Sequence, residues 1–545
     1  MWSSIRLGLL PLLSVGHVEA ISRRSYSPYF EPDQAHRRSP LAIRADPKPV
    51  IQETFDQLID HSNPALGTFK QRYWYSTEFW KGEGSPVVVF NGGTDDASDF
   101  DFWVNTNYAI PGLIAERVGA AVVLVEERFL GASLPYQELT TENLEYLTVE
   151  QTVLDLPYFA HNVELPFASS KNATSPEAVP WVNFGCSADG AYAIYTERLA
   201  PGTFWATYSS SASAQAIENF WRYFDAAKTV MAKNCSADVE KVVDYLDNIL
   251  LHGTQDEFMA IKDKFGAPGL TDRADFMNLL SYGPQTYQQA SAHTHDLWTF
   301  CDYIEGVQDR SNTSTEALPG AEGVGVENAT DGYARWTRDV WIPGRCSQLG
   351  PFPGQNNTDC FALSDPSNKI YANRSAAINF YPGNRQDMWL WCNEASQWWQ
   401  TGSPEGTPTL VSRLVNIDFF RAQCPKFFPT GPQGQTFGIA EGKTADQFNA
   451  KFGGWNDPTP EMQRIVIISG QNDAWRAAGF WSDQRPQGHL QDGTNVRSFL
   501  TPIANHCTDI YRNAAEIWPE VKAVQDEAVG QIVKWVAQFN ASKGH

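Results

Sequence analysis

Positive charge is scarce in this sequence. Its 41 Lys and Arg residues are outnumbered by 63 Asp and Glu residues, which gives a net charge of -22 at neutral pH. Nucleic acids and anionic membrane surfaces attract proteins of the opposite balance, because both are themselves negatively charged. We therefore expect neither as a partner. The balance suits a soluble secreted protein that works at acid pH, where many carboxylates are partly neutralised.

Long hydrophobic runs are missing after the N-terminus, so no membrane-spanning segment is expected. The apolar run that does occur, residues 7–13, follows Arg6 and precedes a small-residue cleavage site at residues 18–20. This order is typical of a secretory signal peptide, and the run is too short for an anchor. We predict a signal peptide over residues 1–20 and an extracellular protein.

The segment that follows, residues 21–48, is polar and basic, with arginine pairs at 23–24 and 37–38. It predicts a short pro-segment with dibasic processing sites, and a disordered tail is the alternative.

Metal-binding patterns and repeats are also missing. No two of the 8 cysteines form a Cys-x-x-Cys pair, and His293 and His295 stand apart from other candidate ligands. We therefore predict no metal and no cofactor. The chain has no internal repeat or low-complexity tract, and its aromatic content of 13% indicates a globular protein with an aromatic core. The oligomeric state is left open.

Asn-x-Ser/Thr sequons are frequent, as expected of a secreted chain, and predict glycans on surface loops. They lie at Asn172, Asn234, Asn312, Asn328, Asn356, Asn373 and Asn540.

Short apolar runs alternate with helical stretches at both ends of the chain, which favours an α/β fold with a mostly parallel sheet covered on both faces. The runs cover residues 85–93, 120–125, 181–185, 203–208, 464–470 and 496–500. The pattern stops in between, where the chain is helical or loop-like. We predict an α/β domain formed by residues 49–213 and 456–545, interrupted by a helical insertion domain at 214–455 that covers the active site.

Ser187, Asp473 and His506 each follow one of these apolar runs. Alone, each has an ordinary structural explanation: a turn serine, a turn aspartate and a buried histidine. Together they supply the nucleophile, the carboxylate and the base of a serine hydrolase. Their order along the chain, Ser, Asp, His, is that of the α/β-hydrolases. We therefore predict that these residues form a catalytic triad.

The turn at the serine has the strand–turn–helix form of a nucleophile elbow. Such an elbow normally needs small residues two places before and two places after the serine; here they are Gly185 and Asp189. The backbone N–H of Ala188 and one from the loop at Gly92 and Gly93 are the candidate oxyanion donors.

Several motifs resemble those of the S28 serine peptidases, which include prolyl carboxypeptidase, dipeptidyl peptidase II and secreted fungal prolyl peptidases; the fungal branch is most similar. The resemblance covers most of the chain from residue 52 onward and rests on residues 57–61, 69–74, 126–135, 146–151 and 469–475, and on His506.

The resemblance implies an α/β-hydrolase fold with a helical, disulfide-bearing insertion. It also implies cleavage of peptide or protein substrates after proline. Candidates for an aromatic substrate pocket are Trp391, Trp398, Trp399 and Trp475; core packing is the alternative role for each. Endopeptidase, carboxypeptidase and dipeptidyl peptidase activities all stay open.

The chain departs from the family pattern near the predicted site. The elbow reads Gly-Cys-Ser-Ala-Asp-Gly instead of Gly-Gly-Ser-Tyr-Gly/Ser-Gly, Glu127 replaces a histidine, and Thr94 replaces a glutamate. An esterase or a peptidase of altered specificity, and a catalytically impaired relative, are therefore the alternatives. Because a charge on Asp189 opposes an oxyanion, we expect activity to be confined to acid pH.

Six cysteines lie in the middle segment, where fifteen pairings are open. Sequential pairing is our hypothesis: Cys235–Cys301, Cys346–Cys360 and Cys392–Cys424. The other two, Cys186 and Cys507, adjoin Ser187 and His506, so we expect both near the chemistry.

Overall fold

The structure is a computed structural model of the full chain. It describes residues 47–289, 296–307, 319–349, 351–375, 379–380, 383–394 and 399–542. The predicted signal peptide and almost all of the predicted pro-segment lie outside these ranges.

An eight-stranded sheet forms the centre of the molecule. The strands are β1 (Ile51–Leu58), β2 (Thr68–Ser76), β3 (Val87–Asn91), β4 (Ala121–Val125), β5 (Trp181–Cys186), β6 (Ala206–Ser210), β9 (Ile465–Gly470) and β10 (Val496–Thr501). Their order in the sheet is β1-β2-β4-β3-β5-β6-β9-β10. All pairs from β4 to β10 are parallel, whereas β2 runs antiparallel to both β1 and β4. The fold is that of an α/β-hydrolase, which confirms the predicted class.

The inner strands are apolar along their whole length because both faces of the sheet are covered. Val87, Val88 and Val89 are 0% exposed, as is every residue of β4 except Val125 at 1%. One face packs on α1 (Ile110–Val118) and α16 (Pro519–Ser542), and the other on α2 (Val149–Asn162) and α3 (Ala188–Leu199). A short helix, α15 (Arg512–Ile517), precedes α16. This layering holds the strand ends in fixed positions.

The chain between β6 and β9 is mainly helical in its described part. It contains α4 (Tyr223–Val230), α5 (Lys233–His252), α6 (Gln255–Lys264), α7 (Arg273–Gln285), α8 (Asp296–Ile304), α9 (Val326–Trp336), α10 (Arg345–Gln348), α11 (Arg385–Asn393), α12 (Ile417–Arg421), α13 (Cys424–Phe427), α14 (Ala445–Phe452) and a small hairpin of β7 (Asn379–Phe380) and β8 (Gly383–Asn384). Its apolar side chains share one cluster with α3 and β9, so this region packs directly on the sheet layer.

Disulfides in this region join Cys235 to Cys301, Cys346 to Cys360 and Cys392 to Cys424. The sequential pairing predicted from the sequence is therefore confirmed. Across the described ranges, no helix is long and apolar enough to cross a membrane.

Candidate active site

Ser187 occupies a sharp turn between β5 and α3. Its φ of 63° and ψ of -126° place it in a conformation that L-residues rarely adopt. The turn is held by the neighbouring strand, because the N–H of Ser187 donates to the carbonyl of Ser210 over 3.0 Å. The serine precedes the first turn of α3, so the positive end of the helix dipole is directed at it. This is the geometry of a nucleophile elbow.

Two glycines permit this turn. A Cβ at Gly185 would lie 2.1 Å from the carbonyl oxygen of Asp189, and one at Gly190 would lie 2.4 Å from the carbonyl oxygen of Ser210. After the serine, the position that must lack a side chain is therefore Gly190, three places on, and not Asp189. This explains how the elbow tolerates a carboxylate two places after the serine. The Asp189 side chain lines the neighbouring cavity instead.

The structure brings together the three residues predicted as a triad. His506 Nε2 lies 2.9 Å from Ser187 Oγ, and His506 Nδ1 lies 2.9 Å from Asp473 Oδ1. The same Asp473 oxygen accepts the N–H of Trp475 over 2.8 Å, which orients the carboxylate. The Asp473 side chain is 0% exposed and that of His506 6% exposed. Ser187 and His506 are 319 positions apart in sequence, and the fold brings them together.

The histidine loop is joined covalently to the elbow. Cys186 and Cys507 form a disulfide, so both lie at the site as expected. The N–H of Cys507 also donates to Ser211 Oγ over 2.9 Å. The positions of Cys186 and Cys507 next to Ser187 and His506 in the sequence placed both cysteines near the site. They did not show that the two cysteines bond to each other.

The predicted oxyanion donors differ in their availability. Ala188 is the first residue of α3, and an N–H at that position has no partner within its helix. Gly92 is a correction to the prediction, because its N–H donates to the carbonyl of Val125 over 3.2 Å. The N–H of Gly93 lies within hydrogen-bond reach of the Asp189 carboxylate.

A mostly apolar cavity of about 120 Å³ opens beside Ser187. Among its lining residues are the aromatic side chains of Phe100, Trp103, Phe184, Tyr192, Trp391, Phe448 and Trp475. Two of the predicted pocket tryptophans, Trp391 and Trp475, are thus in place. Trp399 is a correction: it is 2% exposed, stacks on Phe420 at 5.0 Å and does not line the cavity. Trp398 lies outside the described residues.

The same cavity has carboxyl groups in its wall, which the sequence did not associate with one another. Asp95, Asp189 and Asp387 line it. Burial raises the pKa of Asp387 to about 8, and it also raises the pKa of Asp189. Glu127, next to Asp189, is 5% exposed, and burial raises its pKa well above the usual range. In the sequence, Glu127 and Asp189 are two separate departures from the family pattern, and no local signal marks Asp387.

The other predicted sites are mostly on the surface. Asn172, Asn328 and Asn356 are exposed, whereas Asn234 and Asn373 are half-buried. The Asn234 amide nitrogen, which a glycan would modify, donates to Glu305 over 3.0 Å. Asn312 and the side chain of Asn540 lie outside the described residues. Within the ranges given above, no cluster of His, Cys, Asp and Glu side chains has the form of a metal site.

The fold and the Ser187–His506–Asp473 hydrogen-bond chain define the class of protein as a serine hydrolase of the α/β-hydrolase type. A family model described as "Serine carboxypeptidase S28" matches residues 57–528. The chain therefore belongs to the S28 family of serine peptidases.

Named relatives agree with this assignment. "Serine protease vicPb" of Bipolaris victoriae is 34% identical over 493 residues, covering 89% of each chain. "Probable extracellular serine carboxypeptidase" of Arthroderma benhamiae is 27% identical, over 92% of this chain and 70% of the relative.

Among solved structures, that of proline iminopeptidase from Mycobacterium smegmatis covers 90% of this chain and 100% of its own, with 11% identity and a TM-score of 0.31.

Proposed function

We propose that the protein is a secreted peptidase that cleaves peptide bonds after proline at acid pH, with Ser187 as the nucleophile. His506 Nε2 takes the proton of Ser187 Oγ as the oxygen attacks the scissile carbonyl, and later donates that proton to the leaving amine. Asp473 holds the imidazole in the required tautomer through Nδ1 and stabilises the imidazolium. The observation that carries this proposal is the hydrogen-bond chain of these residues at a strained elbow.

The oxyanion of the tetrahedral intermediate is held by the backbone N–H groups of Ala188 and Gly93. The first comes from the start of α3, where the helix dipole adds to the attraction. The second comes from the loop after β3, and it lies within reach of Asp189 as well. A charged Asp189 competes with the oxyanion for the Gly93 N–H and repels it. Activity therefore depends on protonation of Asp189, which favours acid pH.

Preference for proline is supported by the aromatic cavity. A proline ring is compact and apolar, and Trp391 and Trp475 offer flat faces beside Ser187. The mostly apolar lining around these faces supports a preference for an apolar ring.

Export and domain organisation belong to the same proposal. Four disulfides without a free cysteine in the described chain suit an oxidising compartment. Residues 49–213 and 456–545 then act as the hydrolase domain, and residues 214–455 act as an insertion that supplies Trp391 to the substrate pocket. Glycans on exposed sequons such as Asn172 and Asn356 complete the secreted form.

The test uses the full-length protein recovered from the medium of a fungal expression host. We expect labelling by a fluorophosphonate probe and hydrolysis of acetyl-Ala-Pro-p-nitroanilide at pH 4–5. Ser187→Ala loses both while keeping the wild-type melting temperature, and Asp473→Asn lowers kcat by about 10⁴. Ser367→Ala, which removes an exposed hydroxyl, serves as the control. Labelling that survives Ser187→Ala would refute the assignment, and hydrolysis of p-nitrophenyl esters alone would identify an esterase.

A further inference from the structure

Ser210, the last residue of β6, contacts both the elbow and the histidine loop. Its backbone carbonyl accepts the N–H of Ser187 over 3.0 Å. Its side-chain hydroxyl donates to Oδ1 of Asp509 over 2.6 Å. Asp509 lies three residues after His506 in the segment that follows β10. One residue of the central sheet therefore holds the backbone of Ser187 and the segment that carries His506.

The carboxyl group of Asp509 makes a second contact with the same strand. Its Oδ2 accepts the hydroxyl of Tyr208 over 3.1 Å. Ser210 and Tyr208 are two positions apart, so their side chains share one face of β6 and can reach the same carboxyl group. Both are 0% exposed, and Asp509 is 1% exposed. We refer to the hydrogen bonds of Asp509 with Ser210 and Tyr208 as the Asp509 bridge.

The backbone around Asp509 is also held in place. Nε2 of Gln525, in α16, donates to the carbonyl of Asp509 over 2.9 Å. The preceding residues form a compact turn, in which Oγ1 of Thr508 accepts the N–H of Asn505 over 3.0 Å. His506 lies within this turn. A displacement of Asp509 is therefore passed on to His506 and is not absorbed by a long loop.

The side-chain partners of Asp509 are hydroxyl groups. Burial raises the pKa of Asp509 to about 6, and the hydrogen bonds from Ser210 and Tyr208 act in the opposite direction. Burying a carboxyl group costs free energy that an apolar side chain of similar volume does not cost. Filling space in the core therefore does not explain an acid at this position, whereas a directional contact between the histidine loop and β6 does.

The Asp509 bridge does not depend on one protonation state. An ionised carboxylate accepts both hydroxyl protons, whereas a protonated carboxyl group accepts one and donates its own proton to the other oxygen. Burial raises the pKa of Tyr208 well above its usual range, so its hydroxyl keeps its proton. Two hydrogen bonds are thus possible at the acid pH of the proposed function.

We propose that Asp509 is a positioning residue that aligns His506 with Ser187 through its bridge to β6. The proposal rests on the proposed function, in which Ser187 is the nucleophile and His506 the base. Asp473 contacts the imidazole ring itself through Nδ1. Asp509 acts on the backbone from which that ring projects, so the two carboxyl groups have separate tasks.

Removing the carboxyl group is the first test. We expect Asp509→Ala to lower kcat for acetyl-Ala-Pro-p-nitroanilide at pH 5 by about ten- to a hundredfold, with KM changed by less than about threefold, because small displacements of reacting groups are costly in rate. Rates are expressed per active site, titrated to completion with the fluorophosphonate probe, at a temperature at which each variant is folded by circular dichroism. A wild-type kcat in Asp509→Ala would refute the proposal.

Asp509→Asn separates the hydrogen bonds from the charge. Its amide oxygen can accept the Ser210 hydroxyl while its NH2 group donates to the Tyr208 oxygen, as in the protonated acid. Because the bridge is kept, we expect kcat within about threefold of wild type. A loss as large as that of Asp509→Ala would show that the charge matters and the bridge does not.

A double-mutant cycle tests whether Ser210 and Asp509 act together. Ser210→Ala removes the hydroxyl but keeps the carbonyl that accepts the Ser187 N–H. It should lower kcat alone, and it should cause no further loss when added to Asp509→Ala, because the contact is already broken. Effects that multiply in the double variant would show two independent contributions and would contradict the bridge.

Glu197 provides a matched control on the same strand. It is 7% exposed and accepts the hydroxyl of Thr207, near the start of β6, over 3.0 Å. Glu197 itself lies at the opposite end of α3 from Ser187. Glu197→Ala should lower the melting temperature, as Asp509→Ala does, but should keep kcat within about twofold of wild type. A comparable loss of kcat would mean that any buried carboxyl group has this effect, which would overturn the proposal.

The rate at which the fluorophosphonate probe reacts with Ser187 is a second readout that needs no proline substrate. It should fall in Asp509→Ala in proportion to kcat. Equal probe rates in this variant and in wild type would refute the bridge alone. A wild-type protein that reacts with the probe but hydrolyses no proline substrate would refute the proposed function, and the probe rates would still test the bridge. Absence of any reaction in wild type would refute both.

Discussion

The disulfide between Cys186 and Cys507 joins the residue directly before Ser187 to the residue directly after His506. In the sheet, β6 and β9 lie between the strand that ends at Cys186 and β10, whose following loop carries His506. The bond therefore fixes two backbone segments that non-covalent contacts alone would have to hold across two strands. Its location indicates a function in positioning Ser187 and His506 relative to each other.

We predict that the double variant Cys186→Ser/Cys507→Ser has a kcat about ten- to a hundredfold below wild type with little change in KM, because small displacements of reacting groups are costly in rate. The measurement is steady-state kinetics at a temperature where both proteins are folded. The matched control is Cys346→Ser/Cys360→Ser, which removes a disulfide from the helical region that lies between β6 and β9 in the chain. This variant should keep the wild-type kcat. A wild-type kcat in the first variant would show that the disulfide contributes to stability alone.

Replacing Asp189 should change the pH profile. In the wild-type protein, kcat/KM for an acetylated substrate should fall as pH rises, because the ionised carboxylate repels the oxyanion and engages the Gly93 N–H. Asp189→Gly should raise the rate near neutrality and extend the profile upward. Superimposable profiles would mean that Asp189 has no influence on the oxyanion.

Stability should decrease as pH rises from 5 to 8. Burial raises the pKa of Asp387 to about 8, of Glu197 and Asp275 to about 7, and of Asp509 to about 6. At pH values between the ordinary carboxyl pKa, near 4, and these raised pKa values, the folded protein therefore binds more protons than the unfolded chain. The free energy of unfolding must fall as pH rises through that window.

Thermal unfolding followed by circular dichroism tests this expectation, with a higher melting temperature at pH 5 than at pH 8. Repeating the series at 0.5 M salt separates buried groups from the general repulsion of a chain of charge -22, because salt screens mainly exposed charges. Glu197→Gln should reduce the fall of the melting temperature between pH 5 and pH 8. A melting temperature that rises with pH would contradict the assignment of these groups.

Close packing at Gly190 in the elbow and open space at Gly530 predict opposite effects on stability when each glycine is replaced by alanine. Gly190→Ala places a Cβ 2.4 Å from the Ser210 carbonyl oxygen, which also accepts the N–H of Ser187. We expect a loss of about 1–3 kcal/mol in unfolding free energy and a lower kcat. Gly530→Ala, within α16, meets no atom within 4 Å and should instead stabilise by about 1 kcal/mol. Urea unfolding measures both; a neutral Gly190→Ala would refute the packing argument.

The inner strands and the site residues could be predicted because their signals are local. β3, β4, β5 and β9 are continuous apolar runs, and Ser187 and Asp473 follow β5 and β9 within three residues. The edge strand β1 was missed because its first four residues are all exposed, so no hydrophobic pattern distinguishes it. Here pairing with β2, not burial, determines the strand.

Contacts between distant parts of the chain could not be predicted from the sequence. Cys186 and Cys507 are separated by 321 positions, and nothing in either segment specifies the partner. The same applies to Glu127, Asp189 and Asp387, which come from the segment after β4, from α3 and from α11. Trp399 shows the reverse error: it was a pocket candidate, yet its ring packs on that of Trp391, with centroids 5.2 Å apart, and does not itself line the cavity. The domain limits at 214 and 455 stay predictions.

The long separation between Ser187 and His506 has a consequence for biosynthesis. Synthesis of the 319 residues between nucleophile and base takes roughly 16 to 64 s at about 5–20 residues per second. During that interval the elbow strand has left the ribosome, but His506, the base of the proposed mechanism, has not yet been made. If that mechanism holds, a nascent chain is proteolytically silent among other unfolded polypeptides, and competence arises after the last parallel strand has been added to the sheet.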